Sequence, residues 1–251
     1  MPSLTVRVVG VGDAFTARYH NACLLLESSS TRLLVDAPPA LARALRDLSL
    51  AEPGAPAVGL DDIDHVLITH LHGDHVGGLE QLLFWRRFVT GRKARLHAIP
   101  EVLAGLWETR LRGGMDTLMD TPGGPTRALT LEDYAEVEPL AASGETTIGD
   151  LSIAWRPTIH HIPTSAIRVR AGGHSFGYSA DTAFDPSLIA WLERADLFFH
   201  ETNLGIHTPL ASLAALPPAT RARMRLIHYP DFHDVASSPI ACAREGERLA
   251  L

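Results

Sequence analysis

The sequence predicts a single layered α/β domain spanning residues 1–251. Short β-like runs open each half of the chain and helix-like runs follow them, which indicates two similar halves packed face to face. The length suits one large α/β domain, and the 46% hydrophobic content is enough for a sizeable core. A histidine-rich loop, residues 70–75, separates a strand-like run from a helix-like run in the first half.

The first half opens with an alternating, β-branched run over 4–10, which predicts a strand. Two apolar runs, 22–27 and 32–36, are joined by serines and a threonine and predict a hairpin that ends at Asp36. The Pro- and Gly-rich segment 51–59 predicts a loop. The same patterns predict strands over 65–69 and 95–99, helices over 40–48, 79–88 and 101–112, and irregular structure at 113–114 and 122–125.

The second half is richer in strands, which are separated by Gly, Pro or Asp. Helices are predicted over 186–193 and 209–216, and a further one over 220–225. Strands are predicted over 146–148, 151–156, 166–169, 175–179, 197–200 and 226–228.

The composition excludes several classes of protein. The formal net charge is −7, whereas a chain that grips many nucleic-acid phosphates should carry a basic face. Cys23 and Cys242 lie far apart and outside any CxxC pattern, so reduced thiols are expected. No apolar run approaches about 18 residues and no signal-like segment opens the chain. The sequence therefore predicts a cytoplasmic protein with no membrane partner.

The loop H-x-H-x-D-H carries four candidate metal ligands: His70, His72, Asp74 and His75. In an extended loop, residues two apart face the same way, so His70 and His72 can point at one metal. Asp74 and His75 follow at the start of a helix and can point at a second metal beside it. Imidazole and carboxylate are ligands that zinc and related divalent ions prefer, so a polar surface loop is the weaker interpretation.

Further candidate ligands follow strand-like runs later in the chain. His160 and His161 follow one run, Asp181 follows the next, and His228 ends another. Catalytic metal sites need such ligands from distant segments, together with an open position for water. Asp181 alone would be read as a turn residue, and His233 is an alternative to His228.

H-x-H-x-D-H followed by a distant His, Asp and His resembles the metallo-β-lactamase superfamily, and the resemblance covers nearly the whole chain. It implies an αββα sandwich of two mixed sheets flanked by helices. In this family the ligand usually lies three residues before a proline. His160 lies three residues before Pro163, so the resemblance implies that His160 rather than His161 is the ligand. The resemblance implies a first metal held by His70, His72 and His160, a second held by Asp74, His75 and His228, and Asp181 bridging both.

The resemblance implies a metal-dependent hydrolase with two divalent ions, zinc being expected and manganese or iron fitting the same ligands. Such ions lower the pKa of bound water to about 7, and a metal-bridging hydroxide would attack phosphorus or a carbonyl carbon. Asp74 would orient that nucleophile. Two divalent ions bring about four positive charges, of which Asp74, Asp181 and the hydroxide would offset three. The site would therefore stay slightly positive and suit a small anionic substrate.

Two segments resemble ribonuclease Z and related phosphodiesterases: Phe199-His200-Glu201-Thr202-Asn203 and His207-Thr208. In those enzymes the corresponding Glu and His help to protonate the leaving group, which implies catalytic roles for Glu201 and His207. The alternative is that Glu201 caps a strand-to-loop turn and His207 is exposed.

The chain lacks the long basic arm of ribonuclease Z, and residues 130–150 are acidic, so tRNA is disfavoured as a substrate. A phosphodiesterase acting on a small cyclic phosphodiester, such as a cyclic nucleotide, is the favoured function. The alternatives are a lactone, thioester or carboxylic ester hydrolase of the same fold and a weakly catalytic ligand-binding member. The resemblance also implies a homodimer.

Overall fold

The computed structural model describes residues 4–52 and 54–251; Pro53, in the predicted 51–59 loop, and residues 1–3 lie outside the described residues. The strands are β1 (Thr5–Gly10), β2 (Cys23–Glu27), β3 (Arg32–Val35), β4 (His65–Leu67), β5 (Ala94–Ala98), β6 (Thr117–Met119), β7 (Thr126–Ala128), β8 (Ala135–Pro139), β9 (Thr146–Ile148), β10 (Leu151–Pro157), β11 (Ser165–Ala171), β12 (His174–Tyr178), β13 (Leu197–Glu201), β14 (Met224–Ile227) and β15 (Arg248–Ala250).

Helices connect and cover these strands. They are α1 (Leu41–Ala51), α2 (Gly73–Val76), α3 (Leu79–Trp85), α4 (Pro100–Leu106), α5 (Arg112–Met115), α6 (Pro186–Leu192), α7 (Leu210–Ala214) and α8 (Pro218–Ala222), with 3-10 turns at Leu60–Asp62 and Leu131–Asp133 and π-helical turns at Arg86–Thr90 and Trp107–Leu111. Over residues 4–52 and 54–251, every helix is too short or too polar to cross a membrane.

Two mixed sheets form the centre of the fold, as the sequence predicts. Within the described residues, one sheet has seven strands in the order β15-β1-β2-β3-β4-β5-β8 and the other has six in the order β14-β13-β12-β11-β10-β9. The first is parallel from β3 to β8, and the second is parallel from β12 to β14. The remaining pairs in both sheets are antiparallel.

A continuous hydrophobic core joins the two sheets. Leu24 and Val66 of the first sheet belong to the same buried cluster as Val169 and Phe198 of the second. Helix α1 adds an apolar stripe at helical spacing, formed by Leu41, Ala44, Leu45 and Leu48. The mixed sheets and flanking helices confirm the predicted layered fold.

Local patterns predicted most elements correctly. The predicted hairpin forms between β2 and β3, with Leu24 opposite Val35. The prediction of irregular structure at Gly113-Gly114 is wrong, because both residues lie in α5. A Cβ at Gly114 would lie 2.7 Å from a carboxylate oxygen of Glu80, so glycine leaves room for that side chain beside the helix.

The parallel strands determine where functional side chains gather. Asp36 follows β3, the histidine-rich loop follows β4, and Glu201 ends β13. His228 directly follows β14. Because the carboxyl ends of parallel strands meet at one edge of a sheet, these side chains converge there.

Candidate metal centre

The histidine-rich loop runs from the end of β4 into helix α2, which begins at Gly73. Gly77 and Gly78, which follow helix α2, fix the position of the loop. The Gly78 N–H donates to the Ala37 carbonyl at 2.7 Å. A Cβ at Gly78 would lie 2.1 Å from the Pro38 carbonyl oxygen, so only glycine allows this contact. The loop is therefore held tightly against the segment that follows β3.

The first group of ligand atoms comes from His70, His72, His160 and Asp181. His72 Nδ1 lies 3.1 Å from His70 Nε2 and 3.2 Å from His160 Nε2, and Asp181 Oδ2 lies 3.5 Å from His70 Nε2. Ligand atoms about 2.1 Å from a tetrahedral zinc ion are about 3.4 Å apart. The spacing of this group therefore matches a zinc coordination sphere.

The second group is formed by Asp74, His75 and His228. Asp74 Oδ2 lies 3.1 Å from His228 Nε2 and 3.3 Å from His75 Nε2. Asp181 Oδ1 lies 3.3 Å from His75 Nε2, while its other oxygen faces the first group. A carboxylate with one oxygen toward each group has the arrangement that a bridging ligand needs.

Two buried atoms at the centre of the cluster have no hydrogen-bond partner within the described chain: His75 Nε2 and Asp181 Oδ1. A buried polar atom left unpaired costs about 1–3 kcal/mol. A cation between the two atoms would satisfy both. These residues therefore fit a metal ion.

A carboxylate behind the cluster orients His75. Asp36 Oδ2 lies 2.8 Å from His75 Nδ1, and Asp36 Oδ1 accepts a hydrogen bond from the Thr69 N–H at 2.8 Å. Such a partner on the far nitrogen fixes the ring so that the other nitrogen faces a metal. The sequence placed Asp36 only at the end of a hairpin, and its position at the end of a parallel strand is the signal that could have identified it.

The two groups differ in the charge of their histidines: the first group favours neutral imidazoles, and the second favours a protonated one. Burial lowers the pKa of His70 to about 3 and that of His160 to about 4. Burial also opposes charge on His228, but Asp181, Asp74 and Glu201 outweigh it and raise the pKa of His228 to about 10. Carboxylates thus create a field that attracts cations.

The backbone is strained where the chain turns into the site. Asp36, Ala180 and His228 adopt the left-handed region, with φ of 65°, 49° and 54°. For residues other than glycine this conformation costs on the order of 1–3 kcal/mol and concentrates at functional sites. The turns direct the side chains of Asp36, Asp181 and His228 into the cluster.

Glu201 and His207 lie together beside the second group. Glu201 is fully buried, and its Oε1 accepts from the Thr182 N–H at 2.6 Å and lies 2.8 Å from His207 Nδ1. His207 is half-buried and forms a ligand-type group with Asp181 and His228. Glu201 therefore both anchors a turn, as the alternative interpretation expected, and contacts the histidine beside the cluster.

The two histidines that the sequence offered as alternative ligands, His161 and His233, lie outside both groups. His161 Nε2 is 3.0 Å from His72 Nε2, on the side of that ring away from the first group. His233 packs against Tyr229 and lies 3.4 Å from the Cys242 sulfur.

A cavity of about 1030 Å³ opens over the cluster. His72, Asp74, Asp181, His207 and His228 line its inner wall. The same cavity is lined by side chains from the loops that follow β1, β13 and β14. A ligand in this space would contact both groups of ligand atoms.

Comparison with solved structures defines the class. The metallo-β-lactamase-fold protein YhfI from Bacillus subtilis superposes with a TM-score of 0.78 at 19% identity, covering 99% of each chain. The short form of human tRNase Z gives a TM-score of 0.67 at 17% identity, covering 98% of each chain. The protein therefore has the metallo-β-lactamase fold.

The particular family follows from the sequence comparisons. The model of the family described as Anti-Pycsar protein Apyc1 matches residues 4–241. A protein of that name from Paenibacillus harenae is 34% identical over 238 residues, which cover 91% of both chains. The chain belongs to this family, and fold and family together point to a metal-dependent hydrolase.

Proposed function

We propose that the protein is a binuclear phosphodiesterase that hydrolyses a small cyclic phosphodiester such as a cyclic nucleotide. The observation that carries the proposal is the Glu201–His207 pair, which lies beside the ligand cluster with His207 lining the same cavity. It supplies a proton donor where a phosphodiester bound at the cluster would release its leaving group. A diphosphatase of the PhnP family and a tRNase Z share this fold, which supports the same reaction.

The proposed ligand set has one group for each of two ions, zinc being favoured. His70, His72 and His160 would hold the first ion, Asp74, His75 and His228 the second, and Asp181 both. The interatomic spacings and the unpaired atoms of His75 and Asp181 support this assignment. When bound, such ions supply Lewis-acid charge and lower the pKa of water to about 7.

The side chains around the cluster would position the reactants and move protons. Asp74 lines the cavity and can accept a hydrogen bond from water, which would orient it for attack on phosphorus. Burial opposes protonation of His207, but the hydrogen bond to Glu201 and the charge of that carboxylate outweigh it and raise the pKa of His207. Protonated His207 would donate its proton to the ester oxygen that leaves.

The charge of the cavity favours a single phosphodiester over a polynucleotide. Among the described residues that line it, none is lysine or arginine, although four are aspartates. An RNA backbone needs several basic contacts along its length, whereas one phosphodiester can be neutralised at the ligand cluster itself. The size of the cavity also suits a small ligand.

A single domain over residues 1–251, a homodimer and a cytoplasmic location belong to the same proposal. The sequence and the family resemblance support all three. Light scattering after size-exclusion chromatography measures the mass of the assembly.

A substrate screen tests the reaction. Metal-loaded protein would be incubated with cyclic nucleotides, abasic ribose cyclic phosphate and bis-p-nitrophenyl phosphate, and in parallel with lactones and thioesters. We expect turnover of the phosphodiesters, and the control His207→Ala should slow the cyclic nucleotides while retaining its metal. Rapid turnover of a lactone with none of any phosphodiester would overturn the proposal and favour the carboxylic ester alternative.

A further inference from the structure

Three exposed apolar side chains form a rim around the cavity above the ligand cluster. Phe15, Leu204 and Phe232 are 92%, 67% and 72% exposed, and all three line the same cavity as Asp74 and His228. We call this set the apolar rim. Large apolar side chains that converge on one cavity from separate loops indicate a contact surface for a ligand.

The three loops that carry the rim are tied to one another. The Asp231 carboxylate accepts hydrogen bonds from the Thr16 hydroxyl and, at 2.9 Å, from the Ala17 N–H. Asn203 Nδ2 donates to Asp13 Oδ2 at 2.9 Å. Because these bonds link the Phe15 loop to the loops of both Leu204 and Phe232, the rim is held in place before any ligand binds.

The polar side chains next to the rim are engaged in hydrogen bonds within the same loops. Asp13 also accepts from the Phe15 N–H at 3.0 Å, and Asn203 Oδ1 accepts from the Leu204 N–H at 2.8 Å. What the rim presents to the cavity is therefore mainly two aromatic rings and one aliphatic side chain. A flat, apolar group that needs no charged partner is complementary to this surface.

We propose that Phe15 and Phe232 stack on the nucleobase of the substrate, with Leu204 packing beside it, while the phosphodiester lies at the ligand cluster. The inference rests on the proposed function and deepens it. A cyclic nucleotide has an aromatic base at one end and an anionic phosphodiester at the other. The cavity has an apolar rim at its mouth and a metal-type cluster at its base, so the two ends of the ligand match the two ends of the site.

The rim would contribute to affinity and not to the chemical step, because it lies at the mouth of the cavity. Stacking of a base on an aromatic side chain contributes enough that its removal weakens binding on the order of 5- to 100-fold. Loss of either ring should therefore raise the KM for a cyclic nucleotide by about tenfold and leave kcat within about twofold. The KM for a ribose cyclic phosphate without a base should not change in these variants.

The test compares these two substrates in Phe15→Ala, Phe232→Ala and the double variant. Binding of a hydrolysis-resistant phosphorothioate cyclic nucleotide, measured by calorimetry on metal-loaded protein, supplies a readout that does not depend on turnover. Phe15→Trp should restore affinity and Phe15→Leu should not, since only the former keeps a ring. Phe88→Ala, which removes a 52% exposed ring outside the cavity, is the matched control and should change nothing.

The outcomes separate this inference from the proposed function. Equal losses for the nucleotide and the abasic substrate, or no loss for either, would overturn the role of the rim. A change in the mass of the assembly with unchanged nucleotide affinity would also overturn it and indicate an interface between copies of the chain. Binding of the phosphorothioate that depends on Phe15, in a protein that hydrolyses no phosphodiester, would support the rim and refute the reaction. Absence of nucleotide binding to the wild-type protein would refute both.

Discussion

Replacing Glu201 with glutamine should slow the proposed reaction in a way that depends on the leaving group. The carboxylate lies 2.8 Å from His207 Nδ1, and it also accepts from the Thr182 N–H. Glutamine keeps an acceptor for Thr182, so the turn that Glu201 anchors is retained. What the substitution removes is the negative charge that favours the protonated form of His207.

The size of the effect follows from that one contact. A hydrogen bond to a charged group contributes about 1.5–3 kcal/mol, which corresponds to roughly a 10- to 100-fold change in rate if it is made to the proton donor. Complete removal of a general acid costs about 100- to 10,000-fold, so His207→Ala should be the more damaging variant. The double variant should resemble His207→Ala, because Glu201 acts through His207.

The assay uses two substrates that differ in the need for a proton. A ribose alkoxide must be protonated as it leaves, whereas a nitrophenolate leaves without help. Glu201→Gln should therefore slow a cyclic nucleotide and leave bis-p-nitrophenyl phosphate nearly unchanged. Since Glu201 raises the pKa of His207, the alkaline limb of the pH–rate profile should also move to lower pH in the variant.

Metal content is the necessary control, because Glu201 Oε2 lies 3.7 Å from His228 Nδ1. Partners on the far nitrogen of a metal-bound histidine affect metal affinity by about 10- to 100-fold, so rates are measured with metal in excess. An equal loss with both substrates at full metal occupancy would show that Glu201 does not act through a proton donor. Unchanged turnover of both would return Glu201 to its structural contact with Thr182.

Two further predictions concern the metals. His160→Ala should lower the bound zinc measured by mass spectrometry, whereas His161→Ala should retain it; the reverse result would exchange their roles. In metal-stripped protein the pKa of His228 is raised to about 10, so the stability from its charge is complete below about pH 6.5 and is lost as the pH rises toward 10. In urea unfolding, the free energy of unfolding of the stripped protein should therefore fall between pH 7 and 10. The zinc-loaded protein should not show this fall, because His228 that ligates a metal is not protonated. Parallel pH curves for the two forms would contradict the prediction.

Much of the fold could be predicted because its signals are local. The hairpin of β2 and β3 combines two apolar runs with a short polar turn, and both signals lie within a few residues. Strands β8 and β15 were not predicted, since neither carries a local pattern that sets it apart. β15 pairs with β1 from the opposite end of the chain, and β8 is an edge strand whose Glu136 pairs with Arg95 on β5. Their positions depend on partners that sequence periodicity does not report.

The same division applies to the site. The histidine-rich loop and the later ligand candidates could be named from the sequence because residue type and order are specific. The orientation of Asp36 behind His75 and the opposite directions of the two Asp181 oxygens depend on how two sheets meet. The apolar rim could not be predicted, since exposed phenylalanines at positions 15 and 232 have no common pattern until the loops after β1 and β14 come together.

The charges of the cavity link metal loading to substrate binding. Its described lining holds the carboxylates of Asp13, Asp74, Asp181 and Asp231 and no lysine or arginine. Without cations the cavity would repel a phosphodiester, because its four carboxylates outnumber His207 and His228, the two lining histidines whose pKa those carboxylates and Glu201 raise. Two divalent ions at the cluster would reverse that balance at the inner end, while the apolar rim stays indifferent to charge. Affinity for the phosphate would then depend on the metals and affinity for the base on the aromatic rings, so each can be removed without the other.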